Sequence, residues 1–180
     1  DNIEKYWRRY ELTQPVLGSM ETYAADENDH FVVAITDNKF RKKMVEMATL
    51  KKWKFINYIH PSNIVSNNLK IGIGNIICPK CIIGPKSVIG DFNILNCSAT
   101  ISHDCIVGNF NLISSFCGLA GHVKIQDNNF FSLHSAVIPK INIGSNNIVA
   151  PAIIIDRDVE NDSTIFYRYK EKVLAIPKAI

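Results

Sequence analysis

His103 followed by Asp104 is the one acid–base pair in this 180-residue chain that sits among otherwise small, amide and aliphatic side chains. A histidine changes charge near neutral pH, and an adjacent carboxylate orients it and stabilises its charged form. A general base needs this when it takes a proton from an attacking amine or hydroxyl. Gly121 lies eighteen residues further on, a glycine whose amide no side chain obstructs. Such an N–H can hold a carbonyl oxygen that becomes negative during acyl transfer. The competing reading of His103 is a solvent-facing histidine at a bend. His122 falls one residue past Gly121, near His103; it reads as a solvent-facing corner residue, with tuning of His103 or contact with substrate as the alternative. His134 lies too far round to join them within one chain, and His30 and His60 read as structural.

The five cysteines, Cys78, Cys81, Cys97, Cys105 and Cys117, are odd in number and show no disulfide framework. That points to a reducing compartment. Cys78 and Cys81 form a C-x-x-C, which alone would serve redox chemistry or zinc. No second C-x-x-C completes a zinc site, so no metal is expected. Cys81, Cys105 and Cys117 read as small core hydrophobes.

The element that must position these residues is repetitive. Every sixth residue from Val65 to Ile155 is apolar, sixteen in succession. A sustained period of six marks a hexapeptide parallel β-helix. The next position is usually small, as in Gly84, Ser102 and Gly108. The fifth position favours Asn, Cys, Ser or Ala, to fit a narrow interior or form a ladder. Each hexad makes one flat side, roughly 20 Å long at about 3.3 Å per residue, and coils stack about 4.8 Å apart. Three sides close a coil of eighteen residues, so the sixteen hexads make a little over five coils. Stacking then places Gly121 over His103 and Pro139 over Gly121.

The remaining numbers bound the function. A net charge of +3 without a Lys/Arg block excludes an evident nucleic-acid surface. No apolar run is long enough for a membrane span, and no signal peptide is visible. Residues 1–60 lack the six-residue period. Asp1 to Tyr10 reads as irregular, Pro15 to Ser19 as a short strand and turn, and Met20 to Ala25 as a short helix. Phe31 to Ile35 reads as a buried parallel strand. Thr36-Asp37-Asn38 offers N-caps for a helix to about Lys52, with Phe40, Met44, Met47 and Ala48 on its apolar face. Phe55 to Ile59 reads as a second strand. The expected division is a small α/β domain at 1–60, incomplete at its N-terminus, a β-helix at 61–160 and a cap or tail at 161–180.

Asn96 to Phe110, with Ala120-Gly121-His122-Val123-Lys124-Ile125, resembles the sugar acetyltransferases of the sialic acid O-acetyltransferase family. That family includes the bacterial nucleotide-aminosugar N-acetyltransferases of the bacillosamine and perosamine pathways. The resemblance extends back through Ala34 to Lys43 and Tyr58 to Ser62. It implies a left-handed β-helix, although most parallel crossovers are right-handed. It also implies acetyl-CoA as acyl donor, a nucleotide-linked sugar as acceptor, and a cytoplasmic homotrimer with sites between subunits. By resemblance His103 is the base, Asp104 assists it, and the Gly121 amide meets the thioester carbonyl. Leu133 and Ala150 fall in stretches that border coenzyme A, and Asn96 lines the acceptor pocket. Thr36, Asp37, Asn38 and Arg41 sit at the strand-to-helix switch where the nucleotide binds. Capping alone is the competing reading for Asp37 and Asn38.

The chain departs from the family where some relatives carry a histidine nine residues after the base; Leu112 stands there. Ala175-Ile176-Pro177-Lys178 only loosely echoes the usual Gly-x-Pro-Ala-Lys ending. The family's Gly-rich nucleotide loop would precede Asp1. Transfer to an amino group is the expected reaction, for surface glycan or polysaccharide biosynthesis. Transfer to a sugar hydroxyl and a non-catalytic hexapeptide scaffold are the alternatives. A zinc enzyme of the γ-carbonic-anhydrase type is disfavoured by the spacing of His103, His122 and His134.

Overall fold

The computed structural model describes residues 13–14 and 16–167. The hexapeptide stretch winds as a left-handed parallel β-helix of about six turns. Its three sides are sheets of six, five and seven strands. Each strand is two residues long and pairs in parallel with its counterparts one coil away. Thr100–Ile101, for example, pairs with Ile82–Ile83 below and Gly118–Leu119 above, at a separation of eighteen residues. From Ile77 to Ile155 every residue of the apolar series is at most 3% exposed. Each such side chain contributes roughly 1.5–3 kcal/mol by leaving water.

The solenoid is longer than the apolar series. Tyr58–Ile59 already pairs with Ile76–Ile77, so the seven-stranded side begins there rather than after residue 60. At the other end Thr164–Ile165 pairs with Ile148–Val149, now only sixteen residues away. Two residues are missing from that coil, which is why the period fades after Ile155 although the winding continues.

Sorting the fifth positions by coil side separates them into three columns. One is an asparagine ladder through Asn75, Asn93, Asn111, Asn129 and Asn147, all fully buried. The Asn93 Oδ1 accepts from the Asn111 backbone N–H at 2.8 Å and from its Nδ2 at 3.1 Å. The Asn93 Nδ2 also reaches the Gly108 carbonyl on the next coil at 2.9 Å. The ladder ends at Asn147, whose Nδ2 has no partner among the described residues, where the coil shortens. A second column stacks Cys81, Ala99, Cys117 and Ser135, and Cys105 belongs to the third; all are buried, as small core residues should be.

The corners depend on a conformation that the sequence conceals. Every sixth residue from Lys80 to Ala152 has φ near +60°, and none is glycine. The left-handed region costs an L-residue of order 1–2 kcal/mol. The inter-coil hydrogen bonds impose it nonetheless; Asp104 N–H, for instance, donates to the Pro85 carbonyl at 2.9 Å.

The N-terminal segment is smaller than its pattern suggests. Strand β1 (His30–Phe31) pairs in parallel with β2 (Lys54–Phe55), and helix α1 (Asn38–Leu50) connects them. Residues 32–35 alternate between half-buried and exposed, with Val32 40% exposed, so the expected buried strand is not there. A continuous apolar run needs cover on both faces, and two strands with one helix cover only one. Met20 to Thr22 forms a turn closed by Tyr23 N–H on the Ser19 carbonyl, not a short helix. The α1 stripe that turns inward is Arg41, Val45 and Ala48; Phe40 is 49% exposed. Asp37 caps the helix, accepting from Phe40 N–H at 2.7 Å. The tracts 1–10 and 175–178 lie outside the described residues.

Replacing Asn93 by Ala should lower unfolding stability by about 2–4 kcal/mol, because it strips partners from buried amide groups above and below. Urea denaturation of the folded variant measures this, and a loss below about 1 kcal/mol would show that the ladder is incidental.

Candidate active site

His103, Asp104 and Gly121 meet at one corner of the prism, between the six-stranded and five-stranded sides. His103 Nδ1 lies 2.8 Å from Asp104 Oδ2. An ionised carboxylate only accepts, so Nδ1 carries the hydrogen and Nε2 keeps the lone pair of the neutral ring. That hydrogen bond is the largest cause holding the Asp104 carboxyl below the usual carboxylate range; His122 and Lys86 add to it. The Nε2 edge of the ring lies directly over Gly121. A Cβ built there would sit 2.7 Å from both His103 Cε1 and Nε2. The Gly121 N–H makes no hydrogen bond among the described residues, whereas its carbonyl accepts from Lys140 N–H at 3.1 Å. A lone pair that can take a proton therefore stands over a residue whose amide has no partner among the described residues.

His122 packs its ring edge-on against His103, with centroids 5.1 Å apart. His134 stacks instead on Phe116, 4.9 Å between centroids. His30 and His60 each bond locally through Nδ1, to the Asn28 carbonyl and the Ser62 hydroxyl. The thiol of Cys81 is pushed up to about 11 by burial, and burial also raises Cys105 and Cys117. These thiols are poor nucleophiles, because the thiolate is the reactive form.

The other expected site residues lie on different corners. Asn96, Leu133 and Ala150 share the corner between the seven-stranded and six-stranded sides. Leu133 is 51% exposed, and Asn96 Oδ1 lies 3.8 Å from Cys78 Sγ. Thr36, Asp37 and Asn38 line a groove of about 520 Å³ at the start of α1. Its far wall comes from the solenoid: Leu112, Phe130 and Ile148 in one column, with Asn128, Asn146 and Asn147 beside it. Sequence reasoning missed this wall. Its signal was present in the outward position before each core residue, which is apolar on this side but Lys70 and Lys124 on another.

Arg41 does not face that groove. It is 1% exposed and clamps the segment to the solenoid. Its guanidinium donates to Ile35 O and Asn38 Oδ1, both at 2.7 Å, and to Phe110 O at 2.9 Å. Burial brings its pKa down to about 10. The two terminal nitrogens thus tie the segment to the solenoid, while the buried Nε has no partner among the described residues.

With this geometry in hand, the comparisons are specific. PerB of Caulobacter crescentus, solved in complex with CoA and GDP-perosamine, is 32% identical with a TM-score of 0.73, over 75% of this chain and 65% of that one. The chain resembles the bacterial aminosugar N-acetyltransferases. The acetyltransferase domain of PglB from Neisseria gonorrhoeae is 26% identical with a TM-score of 0.74, over 78% of this chain and 68% of that one. A stretch of 47 residues, 26% of this chain, is 45% identical to a UDP-N-acetylbacillosamine N-acetyltransferase of Bacillus subtilis and spans 22% of that protein. No family model matches the chain. The chain thus spans just under two thirds of the perosamine enzyme's length. No helix among the described residues is long and apolar enough to cross a membrane.

Two outcomes follow from the contacts. Gly121→Ala should leave the solenoid folded while its methyl displaces the imidazole by an ångström or so, a misplacement that would slow any reaction relying on His103 by about 100-fold; steady-state turnover measures it. Arg41→Met should leave the carbonyls of Ile35 and Phe110 without this donor, at a cost of roughly 3 kcal/mol. Limited proteolysis should then cut within 30–55 while the β-helix stays protected.

Proposed function

We propose that this chain transfers the acetyl group of acetyl-CoA to an amino group of a nucleotide-linked aminosugar. The observation that carries the reading is the imidazole of His103 lying over Gly121, whose amide is unpaired among the described residues, with Asp104 on the other ring nitrogen. His103 Nε2 takes the proton as the amine attacks the thioester carbon. The Gly121 N–H donates to the oxygen that becomes negative, and Asp104 steadies the imidazolium. The tetrahedral intermediate collapses with departure of the coenzyme A thiolate. The raised thiols of the buried cysteines favour direct transfer over an acyl-enzyme.

The residues present suit the donor. Gly118 and Ala136 face outward on the six-stranded side, and a Cβ at Gly118 would meet nothing within 4 Å. This open strip, with exposed Leu133 and Ile154, leaves room for an extended apolar arm, and Ala150 borders it. Asn96 lies at the same edge and is the candidate to orient the acceptor. The groove at Thr36, Asp37 and Asn38 suits the nucleotide, because the first amides of α1 open there and a helix N-terminus favours phosphate. CoA and GDP-perosamine bound together in the perosamine enzyme support the pairing of donor and acceptor.

The three groups of residues occupy three corners of one prism, each side roughly 20 Å long. One chain does not bring them to one substrate. A cyclic homotrimer, with the prism edges in contact, would let one copy's His103 corner complete another's groove. A cytoplasmic role in surface polysaccharide biosynthesis accords with this substrate class.

A panel of nucleotide-linked aminosugars, each incubated with acetyl-CoA, should show coenzyme A release with at least one acceptor. His103→Ala should reduce it by about 10²–10⁴-fold without changing the oligomer's mass. Unchanged turnover in His103→Ala would remove the base assignment. Acceptance of only the deaminated, hydroxyl-bearing sugar would move the reaction to O-acetylation.

A further inference from the structure

His122 has no part in the mechanism above, yet it completes a cluster with chemistry of its own. The side chains of His103, Asp104 and His122 each present a ligand atom, and these atoms all lie within 4.8 Å of one another. We propose that His103, Asp104 and His122 form a binding site for a borderline transition-metal dication of the Zn²⁺, Co²⁺ or Ni²⁺ class.

Two imidazole nitrogens and one carboxylate oxygen are a donor set that such ions prefer, whereas Mg²⁺ and Ca²⁺ favour oxygen alone. Ligand bonds of about 2.0–2.2 Å place neighbouring donors about 3–4 Å apart. Closing the present separations to that range needs only side-chain rotation. His103 is 53% exposed at its side chain, and His122 is exposed too, so rotation meets little resistance. The remaining coordination positions open to solvent. The coil stacking sets the cluster: Asp104 and His122 occupy the same left-handed corner one coil apart, with φ of 56° and 63°. Their side chains are thereby aligned on a backbone that cannot drift. The other exposed histidine of the solenoid, His134, is turned away onto Phe116.

A bound ion would occupy a nitrogen of His103 and withdraw its partner carboxylate. Given the role of His103 proposed above, metal binding would therefore stop acetyl transfer reversibly. That consequence rests on the proposed function; the binding itself does not.

The full chain, stripped of metal by a chelator and dialysed, can be titrated with Co²⁺ and followed by its visible d–d absorption. We expect saturation at one Co²⁺ per chain, displacement by Zn²⁺ and no displacement by Mg²⁺. His122→Asn should weaken binding by at least about tenfold, and its fold should survive, because asparagine accepts the left-handed corner. His134→Asn should leave binding unchanged. The proposal is overturned by the lack of a saturable site, by displacement with Mg²⁺, or by equal affinity in His122→Asn. Because the readout needs no turnover, a chain that binds Co²⁺ but transfers no acetyl group would keep this site and lose the proposed function.

Discussion

The structure depends on one constraint: parallel backbone pairing holds each two-residue strand of the hexapeptide stretch beside the strand eighteen positions away. Single strands of two residues have no stability of their own. They persist because every side of the prism repeats the same register, coil after coil. The apolar series fills the interior, and the asparagine ladder satisfies the amides at one interior corner. Both operate only while the eighteen-residue step is kept. Where the step shortens to sixteen, beyond Ile155, Asn147 Oδ1 still accepts from Ser163 N–H, but its Nδ2 has no partner among the described residues. The fold is thus a one-dimensional stack in which a local slip propagates to its neighbours only.

The same constraint underlies the proposed chemistry. His103 and Gly121 are not brought together by a loop or by side-chain packing; they are the same corner on successive coils. The proposed proton acceptor and oxyanion donor are thus placed by backbone spacing, and preorganised groups need no rearrangement at the moment of reaction. Asp104 follows His103 into a left-handed conformation, and this turns its carboxylate back onto Nδ1. Helix α1 contributes differently. Arg41, buried and bonded through its two terminal nitrogens to oxygens of the segment and of Phe110, joins the segment to the solenoid so that the groove at Thr36 to Asn38 gains its second wall.

Much of this was legible in the residues. The six-residue period announced the solenoid, and arithmetic on it paired His103 with Gly121. The composition of the fifth position announced a small-residue interior, and Asp37 announced a cap. Other features were hidden for physical reasons. The corner conformation has φ near +60° but carries Lys, Phe, Asp and His rather than Gly, because hydrogen bonds between coils impose it from outside the local sequence. Tyr58–Ile59, which reads as part of a strand of the α/β segment, and Thr164–Ile165 are not assigned to the solenoid by the sequence because the period is broken beside each of them, although the pairing is not. The burial of Arg41 was unreadable: a charged residue on a helix suggests solvent or ligand, and only the approach of Phe110, sixty-nine residues away, shows its true partners. The run from Phe31 to Ile35 reads as fully buried in sequence, yet it is covered on one face only.

The central claim is that the corner carrying His103 and the groove at the start of α1 serve one reaction across two copies of the chain. Subunit complementation tests this most directly. A His103→Ala chain and a groove-filling Thr36→Trp chain, each inactive alone, would be unfolded, mixed and refolded together. If each site draws on two copies, about a quarter of the sites in a randomly mixed cyclic trimer should carry neither defect, and acetyl transfer should return to about that level. No recovery in verified mixed oligomers would contradict the account, because it would mean that both groups of residues act within a single chain.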